Sequence, residues 1–329
     1  MFLTKFVRLH VAAAALTGAV AGFAAPASAA DYPEQPVRIV VPFPAGGSVD
    51  ALARVMGQKM GDLLKQPFIV ENRPGAGSNI GAGFVAHAKA DGYTLLLGTS
   101  AALAVNTSLY GKLNYDPIKD FKPVVLGAKL PSFVLVSAKQ DVKTLKELND
   151  SLKKQGDGAF YASSGNGTPS HLAAELYKRD LGLKAVHVPY KGGAPALTDM
   201  VANRANFMVA IVPESAPMVQ QGQLRALAVT SKERLSGYPD LPTVAESGVP
   251  GYEVEAWYAL VAPAGTPDAV VATLNKAFNE ALKDQQVADK LKTMGFQIAG
   301  GSSKELGDLM ASEKAKWRKV IQEANIKVD

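Results

Sequence analysis

The period of the hydrophobic positions changes repeatedly along the chain. Val37-Arg38-Ile39-Val40-Val41 is a β-rich run that stops at Pro42, whereas Leu52, Val55, Met56, Met60, Leu63 and Leu64 recur at the spacing of one helix face. The short run Phe68–Val70, a helical stretch over Asn79–Ala88 and the run Thr94–Leu97 extend this to β-α-β-α-β. Such alternation predicts a mainly parallel sheet covered by helices on both faces. The pattern restarts with a strand at Phe133–Val136 and a charged amphipathic helix over Val142–Lys154. Strands follow at Phe160–Ala162 and Val186–Val188, with helices over His171–Asp180 and Ala194–Asn203. Phe207–Val212 and Leu224–Thr230 read as further buried strands, and Glu255–Pro263 leads back to a helix over Asp268–Lys283. In the last helix Ser302 and Glu305 form a capping box. Leu306, Leu309, Met310, Trp317, Val320 and Ile321 then share one face, expected to be core.

Ahead of this pattern, Lys5 and Arg8 precede a run of small apolar residues from Val11 to Ala25, and Ala27-Ser28-Ala29-Ala30 offers small residues for cleavage. This is the pattern of a secretory signal peptide over residues 1–30, cut after Ala30, so the mature chain is expected to be exported. The apolar run is shorter than the roughly 20 residues a membrane-spanning helix needs. Removing Lys5 and Arg8 leaves 33 basic against 30 acidic side chains, a net charge of +3. Lys143, Lys146, Lys153 and Lys154, like Lys314, Lys316, Arg318 and Lys319, are interleaved with acids and Leu as on solvated helix faces. No concentrated basic stripe marks a nucleic-acid partner. The chain has no Cys, which excludes disulfides, thiolate nucleophiles, zinc ribbons and iron–sulfur clusters.

One device recurs in both halves: a strand, a Gly/Ser-rich loop, then a helix N-terminus. It occurs at Gly46-Gly47-Ser48, where Ser48 and Asp50 are expected as N-cap and first-turn acid, and at Gly75-Ala76-Gly77-Ser78-Asn79. In the second half it occurs at Gly165-Asn166-Gly167-Thr168 and Gly192-Gly193. A helix start has unpaired N–H groups and a partial positive charge, so two such loops per half suggest a two-sided anion site. There is no GxxxxGK[ST] loop, GxSxG elbow or HExxH pair. His171 and Glu175 lie one helical turn apart but lack a third metal ligand, so no metal or cofactor is expected. Gly75, Gly77, Gly81 and Gly83 resemble a dinucleotide fingerprint, but Asn72-Arg73-Pro74 separates them from the strand. His87 reads as satisfying its own helix end and His187 as a satisfied core residue.

The stretch Pro36-Val37-Arg38-Ile39-Val40-Val41-Pro42-Phe43-Pro44-Ala45-Gly46-Gly47 resembles the opening of the tripartite tricarboxylate transporter substrate-binding proteins, the Bordetella uptake gene family. The likeness continues through Glu71-Asn72-Arg73-Pro74-Gly75-Ala76-Gly77, Pro189-Tyr190-Lys191-Gly192-Gly193, Leu224–Thr230, Pro242-Thr243-Val244-Ala245-Glu246 and Ala262-Pro263-Ala264-Gly265-Thr266-Pro267. The resemblance implies an α/β fold of the type II periplasmic binding class. Residues 31–131 and 255–329 would form one domain and 132–254 the other, with two crossing strands between them and the ligand in the cleft. It implies a monomeric receptor that is not an enzyme. Such a receptor would capture a small organic carboxylate, a di- or tricarboxylate or an aromatic acid, for membrane transporter subunits.

Carried over position by position, the ligand contacts are Phe43, Pro44, Ala45, Gly46, Gly47, Ser48, Asn79, Thr99 and Ser100 on one side. Ser163, Gly165, Thr168, His171 and Pro213 face them. Ala210 stands where family members often carry Asp, which removes the expected support for selecting an amino group. Phe43, Tyr190 and Trp257 are aromatic residues for the pocket, the rim or the core. A sensor signalling to a membrane kinase and a secreted hydrolase using the same cleft remain as alternatives.

Overall fold

A computed structural model describes residues 32–326, so the expected signal peptide lies outside the described residues. In chain order the elements are β1 (Val37–Val41), α1 (Ser48–Leu64), β2 (Phe68–Asn72), α2 (Asn79–Ala86) and β3 (Thr94–Thr99). A wide turn at Ala101–Val105 leads into α3 (Asn106–Leu109), β4 (Phe121–Ser137), α4 (Leu145–Gln155), β5 (Phe160–Ser163) and α5 (Pro169–Leu181). Then come β6 (Val186–Pro189), α6 (Gly193–Val201), β7 (Phe207–Ile211), α7 (Val212–Gln220), β8 (Leu224–Val229) and β9 (Glu255–Pro263). The chain closes with α8 (Asp268–Lys283), α9 (Gln285–Thr293), β10 (Gln297–Gly300) and α10 (Ser303–Glu323).

The strands run β2-β1-β3-β9-β4-β7-β5-β6, with β8 and β10 also on β4. They form two sections because β4 serves both: Phe121–Pro131 pairs with β9, whereas residues from Ser132 onward pair with β7 and β8. The chain comes back where the Val254 N–H donates to the Thr230 carbonyl, beside the same junction. The expectation of a mainly parallel sheet needs correction. The flanks β2-β1-β3 and β7-β5-β6 are parallel, but every pairing of β4 and of β9 is antiparallel. A strand that passes directly from one section to the other needs no helical crossover, and so it runs against its neighbours.

Each section buries helices on both faces. In the first, Ile39, Leu52, Met56, Leu260 and Phe278 pack on one face and Val40, Leu96, Trp257 and Met310 on the other. In the second, Val134, Tyr161, Tyr177 and Phe207 are on one face and Phe133, Leu135, Leu197 and Met208 on the other. The apolar stripe of α10 is divided between them: Leu306 and Met310 enter the first section's core, Trp317, Val320 and Ile321 the second's. The last helix therefore clamps both sections.

Local capping moved several boundaries. Helix α4 starts at Leu145 rather than Val142 because Thr144 accepts from Glu147 N–H while the Glu147 carboxylate accepts from Thr144 N–H. Helix α5 starts at Pro169, with Thr168 as its cap. Helix α7 begins at Val212, which the sequence reading had left in a strand. Pro213 falls in its first turn, where a proline has no N–H to leave unpaired.

Candidate ligand-binding site

A cavity of about 410 Å³ lies between the two sections, beyond the carboxyl ends of β1, β3 and β5. Phe43, Pro44, Ala45, Gly47, Ser48, Val49, Thr99, Ser100 and Ala101 line it from the first section, with Ala256 and Tyr258 from β9. Ser164, Thr168, Pro169, Ser170, Ile211 and Glu214 line it from the second. Among the described residues, no Lys, Arg or His is in the lining.

On the first side, Gly46 takes a φ of 89° that a side chain would strain, turning the chain after β1 into α1. The helix start differs from the expected one. Gly47 is the N-cap and supplies no side-chain bond, and Ser48 is already helical. Its Oγ instead shares a 2.8 Å hydrogen bond with the Tyr258 hydroxyl, tying α1 to β9. The first-turn N–H groups of α1 are thus left to what enters the cavity. Behind the loop, buried Asp50 accepts from Gly46 N–H at 2.9 Å, from Arg54 Nε and Nη2 at 2.9 and 3.0 Å and from Asn72 Nδ2 at 2.9 Å. Asn72 Nδ2 also donates to the Phe43 carbonyl. Burial raises the Asp50 pKa, but the Arg54, Gly46 and Asn72 hydrogen bonds outweigh it and hold the carboxyl below its ordinary range. Thr99, at the end of β3, is buried, and its hydroxyl has no protein partner. Burial pushes the Tyr258 hydroxyl up to about 12, against the Ser48 hydrogen bond and with a contribution from the Glu214 charge.

On the second side, Gly165 and Gly167 have φ of 127° and 71°, bending the chain between β5 and α5. Thr168 caps α5, accepting from His171 N–H and donating to the Gly165 carbonyl at 2.7 Å. Ser170 Oγ donates to the Val209 carbonyl. Under this loop His171 Nδ1 accepts from Gly167 N–H at 3.0 Å, and His187 Nε2 shares a 2.6 Å bond with Ser163 Oγ. The two imidazoles stack with centroids 3.9 Å apart, and Tyr161 stacks on His187 at 4.8 Å. Burial lowers both imidazole pKa values to about 4. Glu175 accepts from Tyr161 Oη and pairs with Lys178, so it is spoken for within the protein.

Of the residues expected to touch a ligand, Phe43, Pro44, Ala45, Gly47, Ser48, Thr99, Ser100 and Thr168 come together around the cavity. Gly46, Asn79, Ser163, Gly165, His171 and Pro213 do not line it. Gly46, Ser163, Gly165 and His171 shape the loops from behind. Asn79 is occupied elsewhere, its Oδ1 accepting from Asn106 Nδ2 and Tyr115 Oη. Pro213 turns toward Gly295, where an added Cβ would come within 2.9 Å of its ring. Trp257 is core, and Tyr190 donates to Asp199 outside the lining. The sequence reading missed Val49, Ala101, Ser164, Pro169, Ser170, Ile211, Glu214, Ala256 and Tyr258. The two β9 residues had no local signal, since their place depends on which strand lies beside β3.

Comparison with known proteins accounts for this layout. The tripartite tricarboxylate transporter family receptor profile matches residues 52–326. The chain belongs to this receptor family. It is similar to protein BugT of Bordetella pertussis, 35% identical over 311 residues that cover 94% of this chain and 95% of that protein. Among solved structures it is similar to an R. palustris protein with adipate, at TM-score 0.80 and 36% identity over 91% of this chain and all of that one. It is likewise similar to MatC of Rhodopseudomonas palustris with bound malate, at TM-score 0.75 and 34% identity over 88% of this chain and 100% of that one. This receptor family consists of periplasmic solute-binding proteins, not enzymes, and its fold is the one described above.

Proposed function

We propose that this receptor captures a small organic carboxylate in the cleft between its two sheet sections and presents it to the membrane subunits of a tripartite transporter. It would do so as a periplasmic monomer released from residues 1–30 by cleavage after Ala30. The observation that carries the ligand class is the lining: the uncapped start of α1 and the hydroxyls of Thr99, Ser100 and Ser164 converge on a cavity with no cation among its described lining residues. Neutral donors of this kind hold a carboxylate without a buried counter-charge. The Thr99 hydroxyl, buried and without a partner, is one such donor awaiting an acceptor. The adipate- and malate-bound relatives agree with this chemistry.

Residues 32–131 with 255–326, and 132–254, act in this proposal as two bodies that close on the ligand. The motion bends β4 and the return at Val254, and it also slides the Trp317 end of α10, which touches the second section's core. A thermal-shift panel of carboxylates tests the ligand class, since a ligand at 100 times its Kd adds roughly 2.7 kcal/mol of stability. No shift with any carboxylate overturns it. Small-angle scattering with and without the best ligand tests closure, and identical curves at saturation exclude it.

A further inference from the structure

The cavity holds one ionisable side chain that the carboxylate reading does not use. Glu214 stands in the first turn of α7 and lines the cleft from the second section. It makes no hydrogen bond or ion pair with any described residue, unlike Asp50 on the opposite side, and no cation faces it from the lining. The carboxylate lies over Gly193, the first residue of α6, so closely that a Cβ there would be 2.3 Å from Glu214 Oε2 and 3.4 Å from Ser164 Oγ. Glu214 is an exposed residue, so its carboxylate faces the open cleft rather than the core. The surrounding protein raises the Glu214 pKa by desolvation, as expected for a carboxylate without a donor to compensate it.

We propose that Glu214 sets the specificity of this cleft. It accepts from the donor end, hydroxyl or ammonium, of a ligand whose other end is the carboxylate, and it repels a ligand with a second carboxylate at that point. This rests on the carboxylate reading above. The neutral donors on the first section take the carboxylate, whereas on the second section only Glu214 carries charge in the lining. A dianion would set like charges together in a partly desolvated site, and a donor end would give the unpaired acid its missing partner. This chain would then differ from the relatives solved with the dicarboxylates adipate and malate.

The test uses matched ligands of equal length on the purified mature protein and on Glu214→Gln, by calorimetric titration at neutral pH. The probes are succinate, γ-hydroxybutyrate, γ-aminobutyrate and butyrate, with adipate, ε-hydroxycaproate, ε-aminocaproate and caproate as the longer set. The hydroxyl and amino arms separate the two donor chemistries. The wild type is expected to bind a donor-ended acid at least about tenfold more tightly than the dicarboxylate of that length, and Glu214→Gln to erase or invert that ratio. Equal ranking by both proteins overturns the assignment. So does dicarboxylate binding as tight in the wild type as in Glu214→Gln, because a protonated Glu214 would then be donating to the second carboxylate. If neither protein, folded by circular dichroism, binds any acid in either set, the carboxylate reading falls and the Glu214 assignment with it. Glu214 is exposed and bonds to no described residue, so Glu214→Gln is expected to melt with the wild type.

Discussion

The two sides of the cleft use the same strand, glycine loop and helix start, yet they hold it in opposite ways. Phe43–Ser48 is fastened by charge: Asp50, Arg54 and Asn72 grip the loop from behind and leave the first turn of α1 without a side-chain cap. Ser163–Thr168 is fastened by neutral groups. Thr168 caps its own helix, and the stacked rings of Tyr161, His187 and His171 support the loop through Ser163 Oγ and Gly167 N–H. The first side therefore presents backbone donors with the Thr99 and Ser100 hydroxyls, the second the Ser164 hydroxyl and the Glu214 carboxylate. A common local motif does not dictate what a site offers, because the residues behind the loop decide which donors remain free.

The largest difference should appear on acidification. Both buried imidazoles are lowered to about 4 from an ordinary value of 6.5, so between those values the unfolded chain binds protons that the folded chain refuses. Stability is thus complete above about pH 6.5 and is lost as the pH falls toward 4. At about 1.4 kcal/mol per pKa unit each ring accounts for a loss on the order of 3 kcal/mol, and because a charged ring repels a proton from its neighbour the pair together loses about 6 kcal/mol. Asp50 acts in the same direction but at lower pH: its lowered pKa keeps the first loop fastened until the pH drops below the ordinary carboxyl value of 3.8. Thermal melts from pH 7.5 to pH 4.5 should show the slope, and His171→Gln with His187→Asn should flatten it. A slope unchanged in that double variant would remove the distinction between the two fastenings.

Cutting the charged fastening is expected to come next. Asp50→Ala removes the acceptor of Gly46 N–H and one of the two acceptors of Asn72 Nδ2, the Phe43 carbonyl remaining. Because Arg54 is largely exposed, the cost should be about 2 kcal/mol rather than that of a fully buried pair. Urea melts and ligand titration should show loss of stability and affinity together. The hydroxyls sharpen the comparison at about 1 kcal/mol. Thr168→Ala removes a helix cap and should lower stability by that amount as well as affinity. Thr99→Val removes an unpartnered hydroxyl, so it should leave stability unchanged or raised while affinity falls by about 1 kcal/mol. Equal behaviour of these two variants would mean that Thr99 does not meet the ligand. The smallest effect concerns salt. With neutral donors shielded in a closed cleft, affinity should change less than about twofold between low and moderate ionic strength, and a steep calorimetric dependence would reveal a cationic anchor.

Local sequence determined much of this protein. Periodic apolar runs place β1, α1, β3, β5 and α10, because each must bury one face, and the loops Phe43–Ser48 and Ser163–Thr168 are written in glycine and hydroxyl residues that only turns and helix starts favour. Family motifs along the chain added the receptor fold and the cleft. Other features depended on contacts between residues far apart in sequence. The antiparallel middle of the sheet arises because β4 and β9 pass straight between sections, and the division of α10 between two cores arises because both sections lie along one helix. Asn79 and His171 carry the right chemistry for a ligand, but Asn106, Tyr115 and Gly167 reach them first. Glu214 shows the converse: alone on α7 it is an ordinary first-turn acid, and only the placement of α7 at the cavity brings its charge to the ligand cleft. Sequence sets which groups are available, while the tertiary structure decides which of them are already satisfied, and an unsatisfied group facing a cavity is what a ligand can use.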